Sequence, residues 1–167
     1  MKRIVERIAL SIVLITRPLA AADTLRVGVF NVDATPPVGS PLAYDPMERV
    51  GGPLSSRGVV IVGSGEPIVL CGVDWIGIAN EGHTRWRQAL ADAAGTTIER
   101  VAVHAIHQHD APRCDFSAEE LLAEHGYGGI MFDVKFANAT IRRTADAVKQ
   151  AVADAKPVTH IGLGKGI

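Results

Sequence analysis

The chain has 167 residues, of which 47% are hydrophobic, and its 17 basic and 18 acidic side chains leave a formal net charge of −1. This near-neutral balance excludes a protein that holds nucleic acid or an acidic membrane through a basic surface. Two cysteines exclude a disulfide scaffold, and the length suits one domain with one core.

The first 22 residues have the pattern of a signal peptide. A basic start precedes a short apolar run, residues 8–15, and three alanines at positions 20–22 form a cleavage site. The apolar run is too short for a spanning helix, which needs about 20 residues, so an uncleaved anchor is the less favoured alternative. Cleavage removes four basic residues and one acidic residue, which moves the formal net charge from −1 to −4. We therefore expect an exported protein, periplasmic or secreted, whose mature part is residues 23–167 and has no transmembrane segment.

The first half of the mature chain is typical of β structure. Alternating apolar residues predict a strand over residues 25–30, and five prolines and three glycines in residues 36–53 predict a long loop. Two β-branched runs, residues 56–62 and 67–76, flank a four-residue connection that contains two glycines. This arrangement predicts a hairpin.

A strand, a helix and another strand follow in fewer than 40 residues. Asn80 is a candidate cap for a helix that runs to about Ala94, and residues 99–106 form the next apolar run. The helix makes this a βαβ unit, whose two strands are parallel. Asp74 and the histidines after residue 106 should therefore lie at the same edge of the sheet, where open α/β sheets bind ligands.

Two more helices and a strand are predicted after the histidines. Ser117 opens a capping box for a short helix that Gly126 ends, and apolar spacings of 3 and 4 predict a helix over residues 132–155. Residues 158–163 have the composition of a further strand. We expect an α/β fold with a mixed sheet, a βαβ unit and flanking helices. The chain stops soon after that last strand, which is typical of the N-terminal part of a larger, interrupted domain.

Three imidazoles and a carboxylate are concentrated in the segment of residues 104–110. In an extended chain His107 and His109 share a face and His104 points away from them. Paired imidazoles suit zinc, which lowers the pKa of a bound water and polarises a substrate carbonyl. We therefore predict His107 and His109 as zinc ligands and assign His104 a structural role.

A catalytic zinc needs about three protein ligands, so a further group is required. Asp74 is our candidate, either as a ligand or catalytic carboxylate or as the acceptor of an imidazole N–H. Arg57 is a candidate partner for an anion or a carboxylate, and Asp33 belongs either to a site loop or to a turn. Cys114 remains open as a ligand, a disulfide partner or neither. The remaining titratable candidates are Asp110, His83, His125 and His160, of which His83 and His160 fit packed or surface histidines better.

Three segments of the chain resemble motifs of the neutral/alkaline (non-lysosomal) ceramidases, in the same order and at similar distances. Residues 29–37 resemble the family's "DITP" segment, and residues 56–62 with 69–74 resemble a characteristic pair of strands. Residues 105–112 resemble its "ATHTHSGP" motif. The resemblance covers nearly all of residues 25–165, but only the N-terminal portion of that family's domain.

This resemblance implies a zinc-dependent hydrolysis of the amide bond of N-acylsphingosines. It implies that His107 is a zinc ligand and that His109 lies beside the metal at the substrate, as a catalytic residue. Gln108 and the pair Asp110-Ala111 depart from the motif at the substrate side. The family's other ligands, a later His, a Glu and a Tyr, would fall beyond Ile167, so we expect weak zinc binding and little activity from this chain alone.

Two other classes of protein compete with this hypothesis. One is another His-x-His metallohydrolase, although a metallo-β-lactamase expects a further His soon after Asp110 and an amidohydrolase barrel needs about 250 residues. The other is a non-catalytic exported α/β domain whose histidines are structural. In the enzyme hypotheses the partner is a small-molecule or lipid amide, and no nucleic acid is involved.

Overall fold

The structure is a computed structural model that describes residues 24–166, so the expected signal peptide lies outside the described residues. A single 3-10 turn, Ile98–Arg100, precedes the fifth strand. The other elements, in chain order, are β1 (Arg26–Asp33), β2 (Ser55–Val62), β3 (Ile68–Val73), β4 (Gly77–Ile78), α1 (Asn80–Ala94), β5 (Val101–Ala105), β6 (Arg113–Cys114), α2 (Phe116–Glu124), α3 (Val134–Ala153) and β7 (Lys156–Pro157).

The main sheet has five strands in the order β5-β3-β2-β1-β7, and β4 and β6 form a separate parallel pair. β1 pairs antiparallel with β2, and β2 with β3, which confirms the predicted hairpin. β3 and β5 are parallel and are connected through α1. The predicted α/β class, with a mixed sheet, a βαβ unit and flanking helices, is therefore confirmed.

Helices α1 and α3 pack against each other and against one face of the main sheet. The strands present alternate residues to this face, such as Val69, Cys71 and Val73, which are all buried. Trp75, which follows β3, and Trp86 of α1 are both fully buried. Their ring centroids are 5.6 Å apart in an edge-to-face arrangement. Such aromatic pairs add about 0.5–1.5 kcal/mol beyond the burial of their surface. This contact joins the end of β3 to α1.

The opposite face of the sheet is partly apolar and exposed. Val29 of β1 and Leu70 of β3 are 74% and 43% exposed, and both alternate with buried neighbours. Arg57 and His104 also lie on this outer face, since they occupy register positions on either side of Gly72. The core described here therefore forms on one side of the sheet only.

The predicted helix caps are wrong in detail. α1 begins after Ala79, and Asn80 has a positive φ of 45° and does not cap the helix. Its side-chain nitrogen instead donates to the Asp115 carboxylate at 2.7 Å. The same Asp115 caps α2 by accepting from the backbone N–H of Ala118, a role that the sequence assigned to Ser117. The side chain of Asn80 is thus engaged in a contact between the starts of α1 and α2 and does not cap its own helix.

The C-terminal part of the chain agrees with the prediction as far as residue 157. α3 is capped by Asp133 and buries the predicted apolar stripe that includes Ile141 and Val148. The strand predicted over residues 158–163 is wrong, because only the two residues of β7 pair with β1. The antiparallel register takes every later residue past the start of β1. The backbone N–H of Val158 still donates to Leu25 at 2.9 Å, and beyond it no strand among residues 24–166 pairs with these residues. None of the helices within residues 24–166 has the length and hydrophobicity to cross a membrane.

The contact between β1 and α3 depends on a glycine. A β-carbon built on Gly28 would overlap the carbonyl oxygen of Ala151 in α3, and a backbone atom cannot move aside as a flexible side chain can. We therefore expect Gly28→Ala to lower the free energy of unfolding by about 3 kcal/mol. Urea denaturation measures this change. Gly52→Ala is the control, because Gly52 has open space around it. Equal stability of the two variants would contradict the packing described here.

Candidate functional site

The two histidines of the candidate site follow the end of β5 directly. The last pair of the parallel register joins Val73 to Ala105. Beyond it, the backbone N–H of Ile106 donates to Val73 at 3.0 Å, and that of His107 donates to Trp75 at 3.1 Å. The prediction that the ends of β3 and β5 meet at one edge of the sheet is therefore confirmed.

His107 is held in a defined orientation by the end of β3. Its Nδ1 lies 2.8 Å from the carbonyl oxygen of Ile76. A carbonyl only accepts, so Nδ1 carries the proton and donates it. In the neutral ring this leaves the lone pair on Nε2, which is the arrangement that metal-ligating histidines adopt. The backbone φ of His107 is 66°, a value that few residues other than glycine adopt.

His109 lies against His107 and against a tyrosine from the long loop. The ring centroids of the two histidines are 4.9 Å apart, and their planes are nearly perpendicular at 82°. The hydroxyl of Tyr44 lies 3.3 Å from Nδ1 of His109. All three side chains are exposed in this chain. They form an open, aromatic corner with several free donor and acceptor atoms.

The sequence interpretation placed His107 and His109 on one face of a strand, and their rings do lie side by side. The reason given was wrong, because β5 ends at Ala105 and both residues lie in the loop that follows. The turn at His107 brings the rings together. His104 lies away from the pair, as expected, and is exposed beside Gly72 on the outer face of the sheet.

Tyr44 was not singled out by the sequence analysis. It belongs to the proline- and glycine-bearing loop, whose place is determined by contacts distant in sequence. The backbone N–H of Ala43 donates to Ala111 at 3.1 Å, and Arg113 donates to the carbonyl of Ala43 at 2.7 Å. These bonds tie the loop to the segment that follows the histidines. The only signal in the sequence was an aromatic residue within a long loop.

Asp74 lies at the predicted edge, and its hydrogen bonds go to β2. The carboxylate accepts from the backbone N–H and the hydroxyl of Ser55 at 2.8 and 2.7 Å, and it forms an ion pair with Arg57 at 3.0 Å. Arg57 thus reaches a carboxylate, one of the two partners considered for it. Asp74 itself is 7% exposed. In this chain Asp74 joins the start of β2 to the end of β3, and its catalytic role stays a prediction.

His83, His160 and Asp33 make their contacts away from the histidine pair. His83 packs with Nε2 3.2 Å from the carbonyl of Val103, and His160 is exposed with Nδ1 2.8 Å from the hydroxyl of Thr159. Asp33 accepts from the backbone N–H of Thr35 at 2.8 Å, and hydrogen bonds from Thr35 lower the pKa of its carboxyl. Asp33 therefore forms a strand-ending turn.

Cys114 and Cys71 are both free and buried. Burial in apolar surroundings raises the pKa of Cys114 to about 12 and that of Cys71 to about 11. A protonated, enclosed thiol is a poor metal ligand. Of the possibilities considered for Cys114, the packed and uninvolved thiol agrees with this environment.

The histidine pair fits part of a zinc site. The free Nε2 of His107 and the ring of His109 are the nitrogen donors that zinc prefers. Among residues 24–166, however, no group of three or more His, Cys, Asp or Glu side chains is arranged to hold a metal ion. At most two of the ligands that a catalytic zinc requires therefore come from this part of the chain.

Solved structures of ceramidases are similar to this chain. The neutral ceramidase from Pseudomonas aeruginosa matches 82% of the chain with a TM-score of 0.61 and 20% sequence identity. A ceramidase complexed with C2 matches 81% of it, with a TM-score of 0.58 and the same identity. This chain spans only 23% and 22% of the length of those proteins. No protein-family model and no curated protein matches it. At this identity the similarity establishes a ceramidase-like fold.

The carboxylate of Asp74 is expected to contribute to stability whatever its chemical role. Removing it leaves the N–H of Ser55 without its acceptor, so we expect Asp74→Ala to lower the free energy of unfolding by about 1–3 kcal/mol. Asp45→Ala, at an exposed loop position, should change it by less than about 0.5 kcal/mol. Urea denaturation of both variants measures the difference. Equal values would show that the hydrogen bonds of Asp74 contribute nothing.

The two thiols are expected to resist alkylation in the folded protein. At pH 8 a thiol with a pKa of about 11 or 12 holds roughly 100- to 1000-fold less thiolate than one with an ordinary pKa near 9. We therefore expect iodoacetamide to modify native Cys71 and Cys114 at least about 100-fold more slowly than the chain denatured in guanidinium chloride. Mass spectrometry gives both rates. Rapid modification of native Cys114 would mean that it is not enclosed.

Proposed function

We propose that this chain is the N-terminal part of an exported, zinc-dependent amide hydrolase related to the neutral ceramidases. The observation that carries the proposal is the orientation of His107, whose Nδ1 donates to the carbonyl of Ile76 and leaves Nε2 free at the edge of the sheet. The ceramidase-like fold supports the same assignment.

His107 is the proposed first ligand. Its proton on Nδ1 is occupied by the hydrogen bond to Ile76, so only Nε2 can take a metal, and the carbonyl increases the electron density of the ring. Because the backbone N–H groups of Ile106 and of His107 itself are bonded to Val73 and Trp75, the ring does not have to be ordered when the ligand binds. A preorganised ligand costs less conformational entropy on binding.

His109 is the proposed second member of the centre. Its ring lies 4.9 Å from that of His107 and touches the hydroxyl of Tyr44, so it can hold a proton next to the first ligand or ligate the metal itself. A zinc ion held here would lower the pKa of a water molecule and polarise a carbonyl. Asp74, at the same edge, is the proposed catalytic carboxylate.

The substrate is proposed to be a linear amide, with an N-acylated lipid as the first candidate. The exposed corner formed by His107, His109 and Tyr44 leaves room for a large acyl group. Gln108 and Asp110 stand where the resembled motif carries threonine and serine. Both are larger and more polar, so we propose an amide whose head group differs from that of ceramide.

The remaining metal ligands are proposed to come from polypeptide outside the 167 residues. The chain spans less than a quarter of the ceramidase structures that it resembles, and its described part supplies two nitrogen donors at most. We therefore expect this chain alone to bind zinc weakly and to hydrolyse amides poorly.

A non-catalytic exported domain is the second candidate function. It is favoured by the absence, within residues 24–166, of any group of three side chains that could hold a metal. In that case the hydrogen bond of His107 to Ile76 would only stabilise the turn after β5.

Zinc binding separates the two functions. We expect the full chain to bind Zn²⁺ weakly, with an affinity that His107→Ala lowers by at least about 10-fold. Equilibrium dialysis with metal analysis measures the affinity. NMR should show the ring signals of His107 and His109 changing together. His160→Ala is the matched control, because His160 is exposed and lies outside the pair. Tight stoichiometric zinc would contradict the incomplete site, and weak binding unaffected by His107→Ala would contradict the metal centre.

The coding sequence beyond the codon for Ile167 provides the test of the enzyme itself. A continuation, in frame or frameshifted, should encode the missing His, Glu and Tyr. The extended product should hydrolyse N-acylated lipids, those with another head group faster than N-acylsphingosines, and His107→Ala should abolish this activity. An extended product that lacks those residues, or that binds no zinc, would overturn the proposal in favour of the non-catalytic domain.

A further inference from the structure

We infer that a groove between the long loop and the α2–α3 connection binds a small organic cation with a primary ammonium head and an apolar body. The groove has a volume of about 540 Å³, within the usual range of roughly 300–1,000 Å³ for small-molecule sites. None of its lining residues belongs to the histidine segment. The inference therefore does not depend on the proposed function.

The groove contains two polar side chains whose bonding is incomplete. Glu119 is 8% exposed; its Oε1 accepts from the backbone N–H of Gly129, whereas its Oε2 is buried and has no hydrogen-bond partner among residues 24–166. Ser40 is 5% exposed, and its buried hydroxyl likewise has no partner in this part of the chain. Both residues line the same groove. Buried polar atoms without a partner are rare, and an unpaired buried carboxylate oxygen is especially costly.

A hydrogen-bond donor with positive charge would satisfy both atoms. An ammonium group carries three donors and no acceptor, so it can bond to the carboxylate of Glu119 and to the hydroxyl of Ser40 together. Rotation of a terminal carboxylate costs little, which lets the covered Oε2 turn toward a ligand. A divalent cation fits less well, because calcium takes six to eight oxygen ligands and these side chains supply few.

The walls of the groove indicate the rest of the ligand. They are formed largely by apolar side chains, while Lys135 and Asp133 are the other charged residues that line it. Asp133 already caps α3 through Oδ1. Lys135 is exposed and would repel a second positive charge, so the groove favours a single charge on an alkyl body. The apolar wall residues are Pro37, Val38, Pro41, Phe132 and Val134.

Glu119 was assigned no role from the sequence, since the partner of Ser117 in the expected capping box is Glu120. In the structure Glu119 is buried in α2, and its Oε1 accepts from the backbone N–H of Gly129. Gly129 has a φ of 83°, a conformation that favours glycine. A β-carbon built on Gly128 would lie 3.7 Å from Oε1 of Glu119, so this glycine also lies close to the carboxylate. The connection between α2 and α3 is thus shaped around this carboxylate.

The probe for the test is n-hexylammonium, with hexanol and hexanoate as matched neutral and negative compounds. We expect the full chain to bind hexylammonium with a Kd on the order of 1 mM, as suits so small a ligand. In ¹⁵N–¹H NMR spectra the amides of residues 37–41 and 129–135 should shift. Hexanol and hexanoate should bind at least about 10-fold more weakly, because neither supplies a charged donor.

Variants identify the contacts. Glu119→Gln keeps an oxygen for the N–H of Gly129 but removes the charge, so it should weaken hexylammonium binding at least about 10-fold. Glu120→Gln is the matched control on the exposed side of the same helix and should leave the Kd unchanged. Ser40→Ala should weaken binding less than Glu119→Gln does, and Lys135→Met should strengthen it.

Several outcomes would overturn the inference. They are the absence of hexylammonium binding at this groove, equal binding of hexanol, equal effects of Glu119→Gln and Glu120→Gln, and the same amide shifts produced by millimolar Ca²⁺ with higher affinity than hexylammonium. The comparison of the three probes uses the unaltered chain, so it decides the matter even if a variant fails to fold.

Discussion

The parallel pairing of β3 with β5 places the ends of two strands side by side, and the candidate site is built on those ends. The crossover through α1 sets this pairing, and the buried contact between Trp75 and Trp86 holds the helix against the end of β3. Main-chain hydrogen bonds then continue past the last strand pair to His107. Since His107 itself is exposed, its position depends on the backbone of the sheet and only secondarily on side-chain packing.

The backbone of His107 adopts a conformation that is unfavourable for a residue with a side chain. A φ of 66° in a residue other than glycine is unfavourable by about 1 kcal/mol or more, and such conformations concentrate at functional sites. The hydrogen bond from Nδ1 to Ile76 offsets part of this cost and at the same time orients the ring. The conformation also makes the turn that brings His109 back onto His107. The backbone strain at His107, the orientation of its ring and its contact with His109 therefore all depend on the same local conformation.

Elements with strong periodicity were predictable from the sequence. The apolar stripe of α3 repeats every three or four residues and is buried, and the β-branched runs of β2 and β3 pair as a hairpin. The caps were not predictable, because Asn80, Asp115 and Ser117 are all good capping residues. In the structure Asn80 lies inside the first turn of α1 and bonds to Asp115, 35 positions away, while Asp115 also caps α2. The strand expected at residues 158–163 had the right composition, but its register takes it past the start of β1, and no other strand in the described part of the chain pairs with it.

The sequence by itself determined the α/β class, the parallel βαβ unit and the edge at which Asp74, His107 and His109 gather. These follow from hydrophobic periodicity and from the geometry of crossover connections, both of which are local in the chain. Only the tertiary structure decided that Tyr44 joins His109, that Asp74 bonds to Ser55 and Arg57, and that Glu119 and Ser40 line one groove. The contacts of Tyr44, Glu119 and Ser40 depend on the paths of loops, which no periodic pattern specifies. Those of Asp74 depend on the exact register of the β2–β3 hairpin, which the strand pattern alone does not determine.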